Sequence, residues 1–373
     1  GKWQWMTAAD FHLFLAGKID ESTPLYEELS SKGLLRANTD VELIAQAVRK
    51  RKNHLGIGPV LHQIQLNDEQ GWLTIEAAKA IIDHAMQSTA ATLLFELIHD
   101  GGKIDEGVIE FIINYCIEKN KYEHKDLKWT LSSPLEQLST ESATVLARYN
   151  CNLHTTMYGP KSLHDRLATT PLSTLQHNIE TFRGADQQAE KQSIMVTMPV
   201  GKTLSEDPVL ALNTLIEVMG PDVTVFVEPI TTGEEAIAID QFKGFYHAAL
   251  IQLAEHEALE QVREGNAQAL LASILRSDLS SNPAYHSPGC AGLSVHGYDK
   301  YGHIYPNHLA TKQQNKDLLR IGTAGKSSYE ETLTNPNLKA ITIASILDCL
   351  PGFNQHWATP FLAIDPVACY AET

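Results

Sequence analysis

Cysteine is scarce in this sequence, and the few cysteines are far apart. The five are Cys116, Cys151, Cys290, Cys349 and Cys369, and no two of them form a CxxC pair. A disulfide framework needs several closely spaced cysteines, and a zinc ribbon needs CxxC pairs. The sequence therefore indicates neither kind of structure.

Long apolar runs and an excess of basic residues are also missing. No run reaches the roughly 18 consecutive apolar residues of a membrane-spanning helix, and the first residues lack the layout of a signal peptide. The 29 basic residues are outnumbered by 45 acidic ones, and the resulting net charge of −16 repels a nucleic-acid backbone. We therefore expect a cytoplasmic protein that binds neither nucleic acid nor membrane. Its 43% hydrophobic residues suffice for a sizeable core.

From about residue 55 onward, short apolar runs alternate with amphipathic runs. This alternation is typical of repeated βα units, which build a parallel sheet with helices packed on its outside. Because the short runs are largely apolar, we expect strands that are covered on both faces. The predicted strands are 57–66, 92–98, 127–131, 153–157, 193–200 and 223–227, and the clearest helices between them are 74–87, 108–115 and 209–219.

The composition divides the chain into three predicted regions. Residues 1–50 contain short helical segments, and residues 51–280 contain the βα units, which end in a long helical stretch from Glu234 to about Arg276. From Ser280 onward Gly, Pro, Asn and His become frequent, which predicts a separate C-terminal region over 281–373. Within it, residues 297–305 predict a β-hairpin that turns at 299–302.

Three groups of motifs carry a resemblance to a known family. The first is Asp10-Phe11-His12-Leu13-Phe14-Leu15-Ala16-Gly17 followed by Pro24-Leu25-Tyr26-Glu27-Glu28-Leu29. The second is Thr155-Thr156-Met157-Tyr158-Gly159-Pro160-Lys161-Ser162-Leu163-His164-Asp165, and the third includes Pro288-Gly289-Cys290-Ala291-Gly292 and Leu350-Pro351-Gly352. In this order they resemble the radical SAM peptide maturases of the His-Xaa-Ser system, which end in a SPASM domain.

The resemblance implies the fold. It implies an α/β protein with a partial (β/α)6 barrel of the radical SAM type, a small N-terminal helical module and a C-terminal SPASM-like domain. It also implies an iron-sulfur cluster, which three cysteines hold in a CxxxCxxC loop after the first strand. No cysteine occurs between His54 and Gln70, and none precedes Cys116. The chain is therefore interpreted as a degenerate member that lacks the cluster cysteines.

The positions that resemble the family's S-adenosylmethionine site are altered as well. The family's Gly-Gly-Glu-Pro motif aligns with His99-Asp100-Gly101-Gly102, so that Gly101 stands where the family has a carboxylate. Tyr158 stands where the fourth strand usually carries Asp. We therefore expect no bound S-adenosylmethionine and no iron-sulfur cluster, and the sequence identifies no catalytic residue.

The C-terminal motifs show the same loss of ligands. The resemblance implies an auxiliary cluster there, and Cys290 occupies one of its cysteine positions. Other expected cysteine positions are occupied by Asn307, Phe353, His356 and Leu362. One thiolate does not hold a cluster, so we expect the scaffold to be kept and the cluster to be absent.

The first functional hypothesis is therefore a binding protein. A catalytically inactive radical SAM homologue, a pseudoenzyme, would bind a ribosomal precursor peptide, pair with an active radical SAM maturase, or do both. The acidic net charge suits a basic or His-rich peptide.

Two other hypotheses stay open. One is an enzyme that reuses the barrel mouth, where several side chains could converge: His54, His99, Ser132, Tyr158 and Glu228. This enzyme would use zinc, for which the candidate ligands are Cys290, His296, His303, His308 and His356. The other hypothesis is a purely structural subunit of a larger complex.

Overall fold

Strands and helices alternate along most of the chain. A computed structural model describes residues 4–35, 58–185, 192–255, 262–275, 289, 291–353, 356 and 364–371. In chain order the strands are β1 (Leu61–Gln65), β2 (Asn67–Asp68), β3 (Gly71–Trp72), β4 (Thr92–Ile98), β5 (Asp126–Ser132), β6 (Asn152–Thr156), β7 (Ile194–Val200), β8 (Val223–Pro229), β9 (Val262–Glu264), β10 (Val295–Tyr298), β11 (His303–Tyr305) and β12 (Gly322–Thr323).

Most helices begin where a side chain caps the first turn. Thr74 accepts a hydrogen bond from the Ala77 amide, and Asp207 accepts one from the Leu210 amide. No helix in the described ranges is long and apolar enough to cross a membrane. The helices are α1 (Ala8–Leu15), α2 (Pro24–Ser31), α3 (Ile75–Ala85), α4 (Glu106–Glu123), α5 (Thr140–Arg148), α6 (Lys161–Leu167), α7 (Leu172–Ala185), α8 (Pro208–Met219), α9 (Ile239–Glu255), α10 (Gly265–Leu275), α11 (His308–Thr311), α12 (Tyr329–Leu333), α13 (Pro336–Ala344) and α14 (Pro366–Ala371).

One ten-stranded sheet organises these elements. Its strand order is β12-β11-β10-β1-β4-β5-β6-β7-β8-β9, and every neighbouring pair from β10 to β9 is parallel. The strands β1, β4, β5, β6, β7 and β8 correspond to the six predicted strands, each joined to the next through at least one helix. The predicted α/β fold with a partial (β/α)6 barrel is confirmed.

Two features differ from the sequence-based expectation. The predicted helical stretch from Glu234 to Arg276 is divided into α9 and α10, because β9 lies between them and pairs with β8. The C-terminal strand β10 pairs with β1, so the sheet continues across residue 280. The predicted hairpin is confirmed: β10 and β11 are antiparallel and are joined by a turn in which the Gly302 amide donates to the Asp299 carbonyl.

The two faces of the sheet differ in polarity. On one face, side chains such as Phe95 and Leu97 are fully buried and share a core with helix residues such as Ile112. Alternate residues point to the opposite face, which is the inner face of the barrel, where Glu96 and His154 are half-buried. The expectation of apolar strands covered on both faces is therefore wrong for this inner face, which is partly polar.

A cluster of three buried histidines joins β10 to β1 and α3. The hydroxyl of Tyr298 lies 3.0 Å from Nδ1 of His62 and 3.2 Å from Nδ1 of His84. The rings of His84 and His296 are stacked with their centroids 5.8 Å apart. Burial lowers the pKa of His62 to about 3 and that of His84 to about 4, and it lowers the pKa of His296 well below its usual value. All three are therefore neutral at pH 7.

This cluster predicts that acid destabilises the fold. An unfolded histidine has a pKa of about 6.5, so unfolding takes up protons once the pH falls below that value. The stability contributed by neutral histidines is complete above pH 6.5 and is lost progressively as the pH falls toward the folded-state pKa values, about 4 for His84 and about 3 for His62. The free energy of unfolding, measured with urea, should fall by up to about 4 kcal/mol per pH unit near pH 5.

A pair of variants isolates the contribution of the cluster. His84→Gln should reduce the slope by about 1.4 kcal/mol per pH unit, because one proton fewer is taken up. His177, which is exposed on α7, provides the control, and His177→Gln should leave the slope unchanged. Equal stability at pH 7 and pH 5 would contradict this account.

Candidate functional site

The loop that follows β1 is a tight hairpin fixed to the C-terminal region. It is formed by β2 and β3. The Lys300 ammonium donates to the Asp68 carboxylate at 2.5 Å and to the Gly71 carbonyl at 3.3 Å, while the Tyr301 hydroxyl donates to Gln70 at 2.7 Å. Burial alone would raise the pKa of Asp68, but the hydrogen bond from Lys300 holds it below its usual value. The turn between β10 and β11 thus anchors the loop.

His99 and Asp100 follow β4 at the same edge of the sheet. The His99 ring is buried, stacks on Trp72 with centroids 5.5 Å apart, and places Nδ1 2.9 Å from the Ser133 hydroxyl. Burial lowers its pKa, so His99 is neutral. The Asp100 carboxylate accepts from Gln65 at 3.1 Å and from Lys312 at 2.5 Å. Asp100 therefore links the barrel to α11 and the residues after it.

A carboxylate lies beside Gly101 even though the sequence has no acidic residue at that position. Glu136, in the loop after β5, accepts a hydrogen bond from the Gly102 amide at 2.6 Å. A Cβ atom on Gly101 would lie only 3.0 Å from Oε1 of Glu136. The motif comparison missed Glu136 because this residue reaches the mouth from a different strand.

Two cavities open at the carboxyl ends of the strands. The larger one has a volume of about 640 Å³ and lies between the loops after β1, β4 and β5 and residues 299–316 of the C-terminal region. The smaller one, about 300 Å³, lies between the ends of β4, β5 and β6 and the chain around α6. The larger cavity is lined by residues that include Asp68, Glu69, Asp100, Glu136, Lys312 and Lys316.

The smaller cavity brings together three of the residues predicted at the barrel mouth: His99, Ser132 and Tyr158. The Tyr158 amide donates to Nδ1 of His164, which fixes the start of the segment after β6. Glu228 lies at the end of β8 and does not line this cavity; burial raises its pKa. His54 lies outside the described residues. The structure thus brings together three of the five residues predicted at the barrel mouth.

The candidate zinc ligands occupy different surroundings. His296 belongs to the buried histidine cluster, His303 contacts Asp299 at 2.9 Å, His308 begins α11 and His356 is exposed. Cys290 lies outside the described residues. Within the described ranges, no three His, Cys, Asp or Glu side chains are placed so that they could hold a metal ion. The zinc hypothesis stays a prediction without a located site.

Cys116 and Cys151, the two described cysteines of the barrel, do not fit an iron-sulfur cluster at the mouth. The β1 loop contains none, and Cys116 and Cys151 are buried in α4 and at the start of β6. Burial raises the pKa of both thiols to about 12, so they keep their protons, whereas a cluster needs thiolates. These two thiols therefore do not support a cluster at the mouth.

Comparison with known proteins identifies the type of fold. No protein-family model matches the chain. No curated protein matches it either. Among solved structures, anSMEcpe with bound AdoMet and the Cp18Cys peptide has a TM-score of 0.64 at 13% identity over 81% of this chain and 87% of that chain. The fold is of the radical SAM type. SuiB from Streptococcus suis has a TM-score of 0.53 at 14% identity over 90% of this chain and 77% of that chain.

These structures correct one expectation. From the sequence we expected a chain without a cofactor, but anSMEcpe and SuiB have been solved with this type of fold and with bound AdoMet, which is S-adenosylmethionine. The expectation is therefore wrong. It was based on Gly101, on Tyr158 and on the missing cluster cysteines, whereas the structure supplies a carboxylate beside Gly101 from Glu136.

The close contact of Gly101 with Glu136 can be tested by two alanine substitutions. Gly101 has a φ of +124° and Gly102 a φ of +81°, and both angles strain an alanine. Only at position 101 does the added methyl group also meet Glu136. Gly101→Ala should lower the free energy of unfolding by about 2–3 kcal/mol, and Gly102→Ala by only about 1 kcal/mol. Equal losses in urea unfolding would show that the Glu136 contact does not matter.

Proposed function

We propose that this chain binds an extended basic peptide across the mouth of the partial barrel, and that it serves peptide maturation by binding. In this role it presents a ribosomal precursor peptide to an active radical SAM maturase or pairs with that enzyme. The observation that carries the proposal is the cavity of about 640 Å³ between the barrel loops and the C-terminal region. Clefts of this size at strand ends are usual ligand sites.

The charge of this cavity favours a cationic ligand. Asp68 and Asp100 are each paired with a lysine, Lys300 and Lys312, so that their charges are largely compensated. Glu69 and Glu136 line the same cavity and form no ion pair with a base within the described residues, and Lys316, the other base of the lining, offsets only one of these two charges. The net charge of the chain, −16, acts in the same direction. Lysine or arginine side chains of a peptide would therefore be attracted to the mouth.

The neighbouring structures support a peptide as the ligand. anSMEcpe was solved with two different peptides, and both complexes share this fold with TM-scores of 0.61 and 0.64. The β1 loop of this chain has no cysteine that could hold a cluster. Its own residues therefore support the binding of a peptide and not the chemical modification of that peptide. The His-Xaa-Ser system remains our hypothesis for the kind of peptide.

Selection from a random 12-residue display library tests the proposal. Peptides selected by the full chain should be rich in Lys and Arg, and their affinity should fall as salt is added. Glu69→Gln should weaken a selected peptide about 2–5-fold, the loss expected for one exposed charge. Glu217→Gln, which removes an exposed charge from α8, should have no effect.

Three results would contradict the proposal: no selected binder, a selected set without basic residues, or equal losses in the two variants. Circular dichroism of both variants would confirm that the fold is retained.

S-adenosylmethionine is the second candidate ligand. It carries a positive sulfonium and an ammonium group, and Glu136 offers a carboxylate beside two glycines that leave the backbone open. The adjoining cavity of about 300 Å³ is lined mainly by hydroxyl, imidazole and small side chains. This part of the mouth suits a small polar cation.

Calorimetry can test this second candidate directly. S-adenosylmethionine should bind saturably, and S-adenosylhomocysteine, which lacks the sulfonium charge, should bind more weakly. Glu136→Gln keeps the shape and an acceptor for the Gly102 amide but removes the charge, so it should weaken S-adenosylmethionine about tenfold. Glu217→Gln again serves as the control. If Glu136→Gln binds as tightly as the unmodified chain, the assigned role of this carboxylate is wrong.

A further inference from the structure

A row of polar side chains crosses the inner face of the sheet below the two cavities. The Thr197 hydroxyl on β7 lies 2.9 Å from Nε2 of His154 on β6. On the other side of the ring, Nδ1 lies 3.7 Å from the Glu96 carboxylate on β4. The second oxygen of Glu96 accepts from the Gln63 amide on β1 at 2.8 Å. The row therefore contains a hydroxyl, an imidazole and a carboxylate, in that order.

The charge of Glu96 determines which nitrogen of His154 carries the proton. Burial by itself would raise the pKa of Glu96, but the nearby His154 ring and the hydrogen bond from Gln63 outweigh it and hold the pKa below its usual value. The negative charge of this carboxylate, 3.7 Å from Nδ1, favours the tautomer with the proton on Nδ1. In that tautomer Nε2 has a free lone pair and accepts a hydrogen bond from the Thr197 hydroxyl.

Neighbouring groups hold the imidazole in this orientation. The Phe226 ring packs edge-on against His154 with centroids 6.3 Å apart, and the Ser132 hydroxyl lies 3.4 Å from Nδ1. The backbone amide of His308 donates to Gln63 at 2.8 Å, which fixes the far end of the row. A hydroxyl, a base and a group that orients the base are the parts of an activated nucleophile.

The row is accessible enough to meet a small molecule. The side chain of His154 is 26% exposed and that of Glu96 is 17% exposed. Thr197 is half-buried. Because none of these side chains is fully buried, a small molecule can reach the row.

We propose that Thr197, His154 and Glu96 form a nucleophilic site inside the barrel, and that this site accepts acyl groups from small activated esters. Thr197 Oγ1 forms a bond to the ester carbonyl carbon while its proton passes to Nε2 of His154. The bond between that carbon and the alkoxy oxygen breaks, and the alcohol leaves with the proton. Water then cleaves the threonyl ester by the same route and releases the carboxylic acid.

p-Nitrophenyl acetate is the probe that tests the site. The full chain should release p-nitrophenol, and tandem mass spectrometry of the quenched protein should locate an acetyl group on Thr197. Thr197→Val should abolish that acetylation, and Thr197→Ser should retain it, because the hydroxyl is kept. His154→Asn should slow it about 100-fold, as loss of a general base does.

Matched variants exclude a general effect of changing the barrel interior. Thr130→Val removes a half-buried hydroxyl from the neighbouring strand β5 and should leave the acetylation rate unchanged. Glu96→Gln keeps the shape but removes the charge that sets the tautomer, so it should slow the reaction at least about tenfold. Circular dichroism and thermal unfolding would confirm that each variant is folded.

Two results would overturn the proposal. One is the absence of acetylation on Thr197 in the unmodified chain, including acetylation found only on lysines. The other is a Thr197→Val variant that releases p-nitrophenol as fast as the unmodified chain. The acetylation test does not depend on peptide or S-adenosylmethionine binding. If neither ligand binds, the proposed nucleophilic site is therefore unaffected.

Discussion

The parallel pairing of the strands is the constraint on which every candidate site residue depends. Because all strands from β10 to β9 run in the same direction, their carboxyl ends meet at one edge. His99 after β4, Glu136 after β5 and Tyr158 after β6 come from separate βα units, and only the sheet brings them together. A change that disturbs this pairing would therefore affect all candidate ligands at once, whereas a change in one loop would affect one part of the mouth.

The C-terminal region completes the mouth by polar contacts as well as by strand pairing. Lys300 and Lys312 pair with Asp68 and Asp100 on the barrel loops. The pairing of β10 with β1 places these lysines near the loops, so short side-chain contacts can form without ordering a long flexible segment. The large cavity therefore depends on the C-terminal region, and its shape is determined by both parts of the chain.

The sequence predicted the elements whose cause is local. Strands such as β4 and β7 are short apolar runs between turn residues, and the hairpin after residue 294 follows from Asp299 and Gly302. The contacts of Glu136 with Gly101 and of Thr197 with His154 join different strands, and no periodicity or motif encodes such pairs. The strand β9 was missed because its three residues lie between two helical segments. The part of the site that could be predicted is thus the part that a single βα unit determines.

The polar inner face shows how one scaffold can support different chemistry. The outer face must stay apolar, since it packs under the helices. The inner face is not bound by that requirement, so the residues there can change while the fold is kept. Glu96 lies on β4 and is held in its charged form by its neighbours. His99 directly follows the same strand and is neutral because it is buried. The polar side chains of the inner face and the mouth, and not the barrel fold itself, therefore decide which ligand or reaction this chain supports.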